Sequence, residues 1–139
     1  MKIEVLHKED SAVNDTLLAG LRRYRNENMG NEEAQPLSVV AKDDQGKIIG
    51  GVAGRCIYKN FLIEMVWVDD VVRGSGLGRR LMLQAEEQAK QRGCLVAQLD
   101  TLSFQAPQFY QKLGFEVVGT VPEFAGSPAR YFMLKKYSS

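Results

Sequence analysis

The chain has 139 residues, 45% hydrophobic and 25% charged, with eighteen basic side chains against seventeen acidic ones and a formal net charge of +1. That length suits a single domain, 1–139, with a real core. The near-even charge lacks the basic stripe of a nucleic-acid-binding surface. No apolar run approaches membrane-spanning length, and Met1 to Leu6 lacks a signal-peptide stretch, so a cytoplasmic protein without membrane contact is expected. Cys56 and Cys94 are the only cysteines and His7 the only histidine. A zinc site needs three or four ligands, so no metal is expected, and a histidine-based triad is disfavoured.

In chain order, Lys2 to His7 alternates as a first strand, and Val13, Leu17, Leu21 and Tyr24 recur at helical spacing behind an Asp10 or Ser11 cap. Residues Asn28 to Pro36 lack periodicity and read as a loop. Three strand-like runs follow, Leu37 to Lys42, Lys47 to Tyr58 and Phe61 to Val68, joined by turns too short for anything but antiparallel neighbours. Gly50, Gly51 and Gly54 in the middle run point to a bulge or a close backbone approach. Leu77, Leu81, Ala85 and Ala89 then place one apolar stripe on a helix ended by Gly93, with Glu86 and Lys90 as a supporting pair. Leu95 to Thr101 reads as a strand, Ala106 to Leu113 as a short helix, and Phe115 to Val121 and Arg130 to Lys135 as the last strands. The helix between Phe61–Val68 and Leu95–Thr101 is a crossover, so those two strands are expected to be parallel. The fold class is therefore α/β (α+β): a mixed, mostly antiparallel sheet with a central parallel βαβ pair and helices on both faces.

Chemistry concentrates in Val68-Asp69-Asp70-Val71-Val72-Arg73-Gly74-Ser75-Gly76-Leu77-Gly78-Arg79-Arg80. A strand ends, glycines permit positive φ, and a helix begins with unpaired amides and a partial positive charge, which together suit a phosphate or diphosphate. A dinucleotide fingerprint would need glycine where Arg79 stands, and no Gly-Lys-Ser/Thr completes a P-loop.

Arg73-Gly74-Ser75-Gly76-Leu77-Gly78 resembles the R/Q-x-x-G-x-G/A signature of the GNAT acetyltransferase superfamily. Phe109-Tyr110-Gln111-Lys112-Leu113-Gly114-Phe115 resembles that family's second hallmark, at about the expected separation. The resemblance implies acetyl-coenzyme A as co-substrate, seated between the Phe61–Val68 and Leu95–Thr101 strands where these part. Its arm would bond to main-chain groups of Val66, Trp67 and Val68, and its diphosphate would rest on the amides of Arg73, Gly74, Ser75, Gly76, Leu77, Gly78 and Arg79. Tyr110 would meet the thioester sulfur.

Acyl transfer to an amine needs a neutral amine, a stabilised oxyanion and a proton for the leaving thiolate. An alkyl ammonium has a pKa near ~10.4 and a thiol near ~8.5, so a base is needed for the first and only a modest acid for the last. The resemblance gives the amide of Val68, or of its immediate neighbour, to the oxyanion and Tyr110 to the acid; the other reading of Tyr110 is a core aromatic beside Phe109. Glu64, mid-strand in an apolar run and on the same face as Val66 and Val68 by alternation, is the expected base, with Asp69, Asp70 or a water chain in reserve; the equal alternative is that Glu64 points to solvent or pairs with an arginine. Asp69 and Asp70 could equally cap the following loop.

Two departures from the family pattern are visible. Asp70 stands where many relatives have proline, and Ser103 stands where many place an asparagine that contacts the coenzyme. Acceptor choice would fall to Leu17 to Gln35 and Pro122 to Ala129, with Glu32 and Glu33 available to a cationic amine and Tyr24, Trp67, Phe104 and Phe124 as pocket or core residues. The acceptor is a small-molecule or peptide amine. A protein or aminoacyl-tRNA amine, or a non-catalytic coenzyme-A-binding module, are the alternatives. A homodimer is compatible with the resemblance, since relatives often pair.

Overall fold

The computed structural model describes residues Met1–Tyr137. The chain forms two compact units, Met1–Glu33 and the residues from Ala34 onward. In the first, helix α1 spans Ser11–Met29. The Asp10 carboxylate caps it by accepting from the amides of Ala12 and Val13 at 2.9 and 3.3 Å, a contact worth about 1 kcal/mol. The helix runs into the segment expected to be a loop and stops at Gly30, whose φ of 85° leaves helical space. The first strand is not formed: residues 1–10 contain no strand. Alternation is a local property, whereas a strand needs a bonded neighbour, and no strand pairs with this segment among the described residues.

The second unit is a six-stranded sheet in the order β1-β2-β3-β4-β6-β5. Its strands are β1 (Gln35–Lys42), β2 (Ile48–Ile57), β3 (Asn60–Val68), β4 (Val96–Leu102), β5 (Glu116–Val121) and β6 (Arg130–Lys136). Short turns make β1–β2 and β2–β3 antiparallel. Helix α2 (Leu77–Gln91) connects β3 to β4, which are parallel as a crossover requires. The last strand enters between β4 and β5, antiparallel to both.

The apolar stripe of α2 buries Leu81, Met82, Ala85 and Ala89. It meets Val52, Phe61, Ile63, Ala97, Leu99 and Met133 from one face of the sheet. Helix α3 (Pro107–Lys112) adds Tyr110, and Leu113 and Phe115 follow it into the same core. Cys56 and Cys94 are both buried, and neither is in a disulfide. Glu86 does not pair with Lys90; it bonds Lys135 of β6 at 2.6 Å, with both side chains largely buried. That contact ties helix to sheet, which a pairing rule confined to one helix does not anticipate. No described helix is long and apolar enough to cross a membrane.

Candidate active site

The site begins with an irregularity in β3. Ala53 pairs with Met65 and Gly54 with Ile63, so Glu64 is the extra residue of a β-bulge. Gly54 has no room for a side chain, because a Cβ would lie 2.1 Å from the Leu62 carbonyl oxygen. The bulge resets the alternation. Phe61 and Ile63 are buried before it, and Val66 and Val68 pack against the same core after it, while Met65 and Trp67 are exposed. Glu64 therefore does not share a face with Val66 and Val68, and it is not buried. Its side chain is 51% exposed and its Oε1 lies 3.6 Å from Arg55 Nε.

Where the bulge begins, the sheet opens. The parallel ladder joins Asn60, Phe61 and Leu62 to Val96, Ala97 and Gln98 and goes no further. The Asp69 amide donates to the Ile49 carbonyl at 2.9 Å, which fixes the hydrogen-bonding phase of the β2–β3 ladder. In that phase Trp67, paired with Gly51, turns its main chain to β2. Val66 and Val68 turn theirs toward the opening. Trp67 was expected to contribute main-chain groups there and does not.

Across the gap, the Ser103 amide donates to Ala129 and the Tyr137 amide to Leu95, at 2.9 and 2.8 Å. Alternation then commits Leu99 and Thr101 to β6 and turns Asp100 and Leu102 toward the opening. The Leu102 amide is met by Gln105 Oε1 at 3.0 Å. The exposed Ser103 lies just past the end of β4.

The loop between β3 and α2 is ordered by its own polar groups. Asp69 accepts from the Val71 amide at 3.2 Å and caps a single 3-10 turn, Asp70–Val72. The amides of Arg73 and Ser75 donate to Asp70 and Val72 carbonyls at 3.3 and 3.4 Å, so neither is free for a ligand, against expectation. Gly74 and Gly76 take φ of 81° and 84°, which a side chain would resist. Helix α2 starts without a side-chain cap, and its ladder begins with Arg80 donating to Gly76 at 3.1 Å. The amides of Gly74, Gly76, Leu77, Gly78 and Arg79 thus have no partner among the described residues. Arg79 and Arg80 are exposed beside them. Both glycine motifs converge here: a Cβ on Gly78 would lie 3.2 Å from the Phe109 ring and 3.6 Å from Val68.

Tyr110 is buried, with its ring edge-on to Phe109 at 5.2 Å and to Phe115 at 6.0 Å. Burial pushes its phenol pKa above the ordinary value of 10.0, which keeps the proton in place at neutral pH. Tyr24, Trp67, Phe104 and Phe124 are all exposed, so none is a core residue. No group of three or more His, Cys, Asp or Glu able to hold a metal occurs among the described residues. Sequence reasoning missed Arg55 and Gln105. Arg55 stands on β2 opposite Leu62, two residues before Glu64 on the same face, and only the strand register brings the two charges together.

An opened parallel pair thus lies beside a bare helix start, an unpaired strand edge next to a terminus suited to an anion. Comparison with known proteins gives the class. A family model described as "Acetyltransferase (GNAT) domain" matches residues 35–117. A blasticidin-S acetyltransferase of Streptomyces morookaense is 34% identical over 128 residues, covering 89% of this chain and 93% of that protein. The crystal structure of an acetyltransferase from Bacillus cereus superposes with a TM-score of 0.84 at 29% identity, covering 96% and 98% of the two chains. A Bacillus anthracis structure assigned as a streptothricin acetyltransferase, in complex with acetyl coenzyme A, shares the fold with a TM-score of 0.65 at 23% identity, covering 77% of this chain and 65% of that one. The chain belongs to the GNAT acetyltransferase family, and it is an acetyltransferase.

Proposed function

We propose that this acetyltransferase moves the acetyl group of acetyl-coenzyme A to a primary amine of a small molecule, by direct attack in a ternary complex. The observation that carries the reading is the unpaired β3 edge at Val66 and Val68 lying one short loop from the uncapped start of α2. The amides of Gly74, Gly76, Leu77, Gly78 and Arg79 would hold the diphosphate, aided by the helix dipole. The main chain of Val66 would take the pantetheine arm as an added strand, with the Val68 N–H just beyond it, and Ser103 stands at the far wall of the gap. Family resemblance to a structure holding acetyl coenzyme A supports that donor.

Within this site the Val68 N–H would stabilise the oxyanion as a preorganised donor. Tyr110, still protonated at neutral pH, would supply the proton to the departing thiolate. Glu64 would take the proton of the incoming amine. Its exposure is an asset here, because α2 and α3 fill one face of the sheet and the acceptor must approach from the other, where Glu64 and its partner Arg55 stand. Asp69 and Asp70 are occupied by the loop, as cap and as ion-pair partner of Arg73.

The relative that acts on blasticidin S covers most of both chains, which favours a small-molecule amine over a protein or tRNA acceptor. The test is thiol release from acetyl-coenzyme A across an amine panel with blasticidin S as its first member, followed by mass spectrometry of the product. A gain of one acetyl group on an amine nitrogen is expected. Acetylation confined to peptides, or no thiol with any amine, would overturn the reading.

A further inference from the structure

Arg73 opens the signature motif, and its charge invites a role on the diphosphate. Its side chain is spent elsewhere. The guanidinium donates through Nε to the Val68 carbonyl at 3.2 Å, and its Nη1 pairs with Asp70 Oδ1 at 2.7 Å. The Val68 carbonyl belongs to the part of β3 that faces the opening, where it would otherwise stand as one more free acceptor for an added strand. The next amide, that of Asp69, is held by the Ile49 carbonyl. Both ends of the Val68–Asp69 peptide are therefore fixed, one by the sheet and one by Arg73.

We propose that Arg73 is a positioning residue which locks the end of β3 and sets the register of the donor arm, and that it does not bind the diphosphate. With the Val68 carbonyl taken, the main-chain groups left to an added strand at the loop end of this edge are those of Val66 and the N–H of Val68. An extended amide-bearing arm then has one register that satisfies them, and it leaves the Val68 N–H for the reacting carbonyl. Asp70 serves the lock from the opposite side by holding the guanidinium in place. This inference rests on the acetyl-coenzyme A reading above.

The experiment compares two donors, acetyl-coenzyme A and acetyl-pantetheine, which carries the same thioester arm without any phosphate. Thiol release is measured for wild type, Arg73→Met and Arg73→Gln with the most active amine of the panel. Loss of a charge-assisted bond inside the protein should lower kcat/KM by roughly tenfold with both donors alike. Arg73→Gln, which keeps one donor for the Val68 carbonyl, should recover part of it. Asp70→Asn, a gentler change to the same lock, should show a smaller loss that is again equal for both donors, and it keeps the test open if Arg73→Met fails to fold. A loss seen with acetyl-coenzyme A and absent with acetyl-pantetheine would place Arg73 on the phosphates and overturn the proposal, as would no loss with either. Failure of the donor reading would look different: wild type would release no thiol from either compound.

Discussion

Gly54 of β2 sits directly against Leu62 of β3, where an added Cβ would meet the Leu62 carbonyl oxygen at 2.1 Å and the Ile63 Cα at 3.0 Å. The contact falls on Leu62 and Ile63, the two residues before Glu64 at the bulge, and the parallel ladder with β4 ends at Leu62 itself. Close approach, bulge and opening are thus one feature of the backbone. The atoms in conflict are main chain, so no side-chain rotation relieves them.

Gly54→Ala should therefore cost stability and function together. Overpacking of this kind costs about 1–3 kcal/mol, and here relief requires β3 to shift. Chemical denaturation should show the loss of stability, and titration with coenzyme A should show weakened binding. The neighbouring Ala53→Ser, away from the conflict, serves as a control with neither effect.

Much of this was readable beforehand, for reasons that can be named. Short turns force antiparallel neighbours and a crossover forces a parallel pair, so the β1–β2–β3 meander and the βαβ unit followed from connection lengths, whereas the strand expected at Lys2 to His7 did not form. Glycines in the middle strand signalled a close approach, and Gly54 provides it. The orientation of Glu64 did not follow, because alternation assumes an unbroken ladder and one inserted residue reverses it. The pairing of Glu86 with Lys135 was equally hidden, since the 48 residues of intervening chain carry no trace of where β6 enters the sheet. Free amides at a helix start are general, whereas those of Arg73 and Ser75 were lost to a 3-10 turn that no periodicity announced.

That Glu86–Lys135 pair gives a second prediction. The two side chains are only 22% and 19% exposed, so removing one partner strands the other's charge in a poorly solvated place. Lys135→Met should destabilise the fold by about 2–3 kcal/mol, whereas Glu86→Leu combined with Lys135→Met should restore most of it. Urea titrations of the single and double variants measure this. A double variant no more stable than the single would show that the charge is not the issue.

The same pair explains a glycine of the second motif. Gly114 adopts a φ of 99°, and a Cβ there would lie 3.1 Å from the Lys135 Cε as that side chain reaches toward Glu86. Gly114→Ala combines left-handed backbone strain with a crowded stem. A loss of about 1–2 kcal/mol is expected, partly relieved when Lys135 is already Met, and thermal unfolding of the two backgrounds compares them.

Alkaline pH should expose a further dependence. Burial raises the pKa of Tyr137 strongly, with Glu86 adding repulsion and Cys94 and Cys56 contributing less, and burial alone raises that of Tyr110. In the unfolded chain both phenols ionise near pH ~10. A folded-state pKa above the unfolded value means the stabilising contribution is complete below about pH 10 and is lost as pH climbs toward the folded-state values. Unfolding free energy should thus fall above pH ~10, and Tyr137→Phe should flatten that fall while leaving neutral-pH stability little changed. An unaltered alkaline slope in the variant would assign the effect to other groups.

Tyr110 carries the sharpest test of the chemistry, because its two roles separate cleanly. As a ring it fills the core between Phe109 and Phe115, and phenylalanine fills that space equally well. As a phenol it holds a proton that burial makes hard to lose, which suits an acid for a thiolate and spoils a base. Tyr110→Phe should therefore leave folding and coenzyme A binding near wild type while lowering kcat by about 10²-fold, within the usual range for a lost general acid. The deficit should shrink for donors whose thiol is more acidic, since such a leaving group needs less help. Stopped-assay turnover with acetyl-coenzyme A and with an acetyl ester of an aromatic thiol makes the comparison. Equal deficits with both donors would move the proton to another group and leave Tyr110 a core residue.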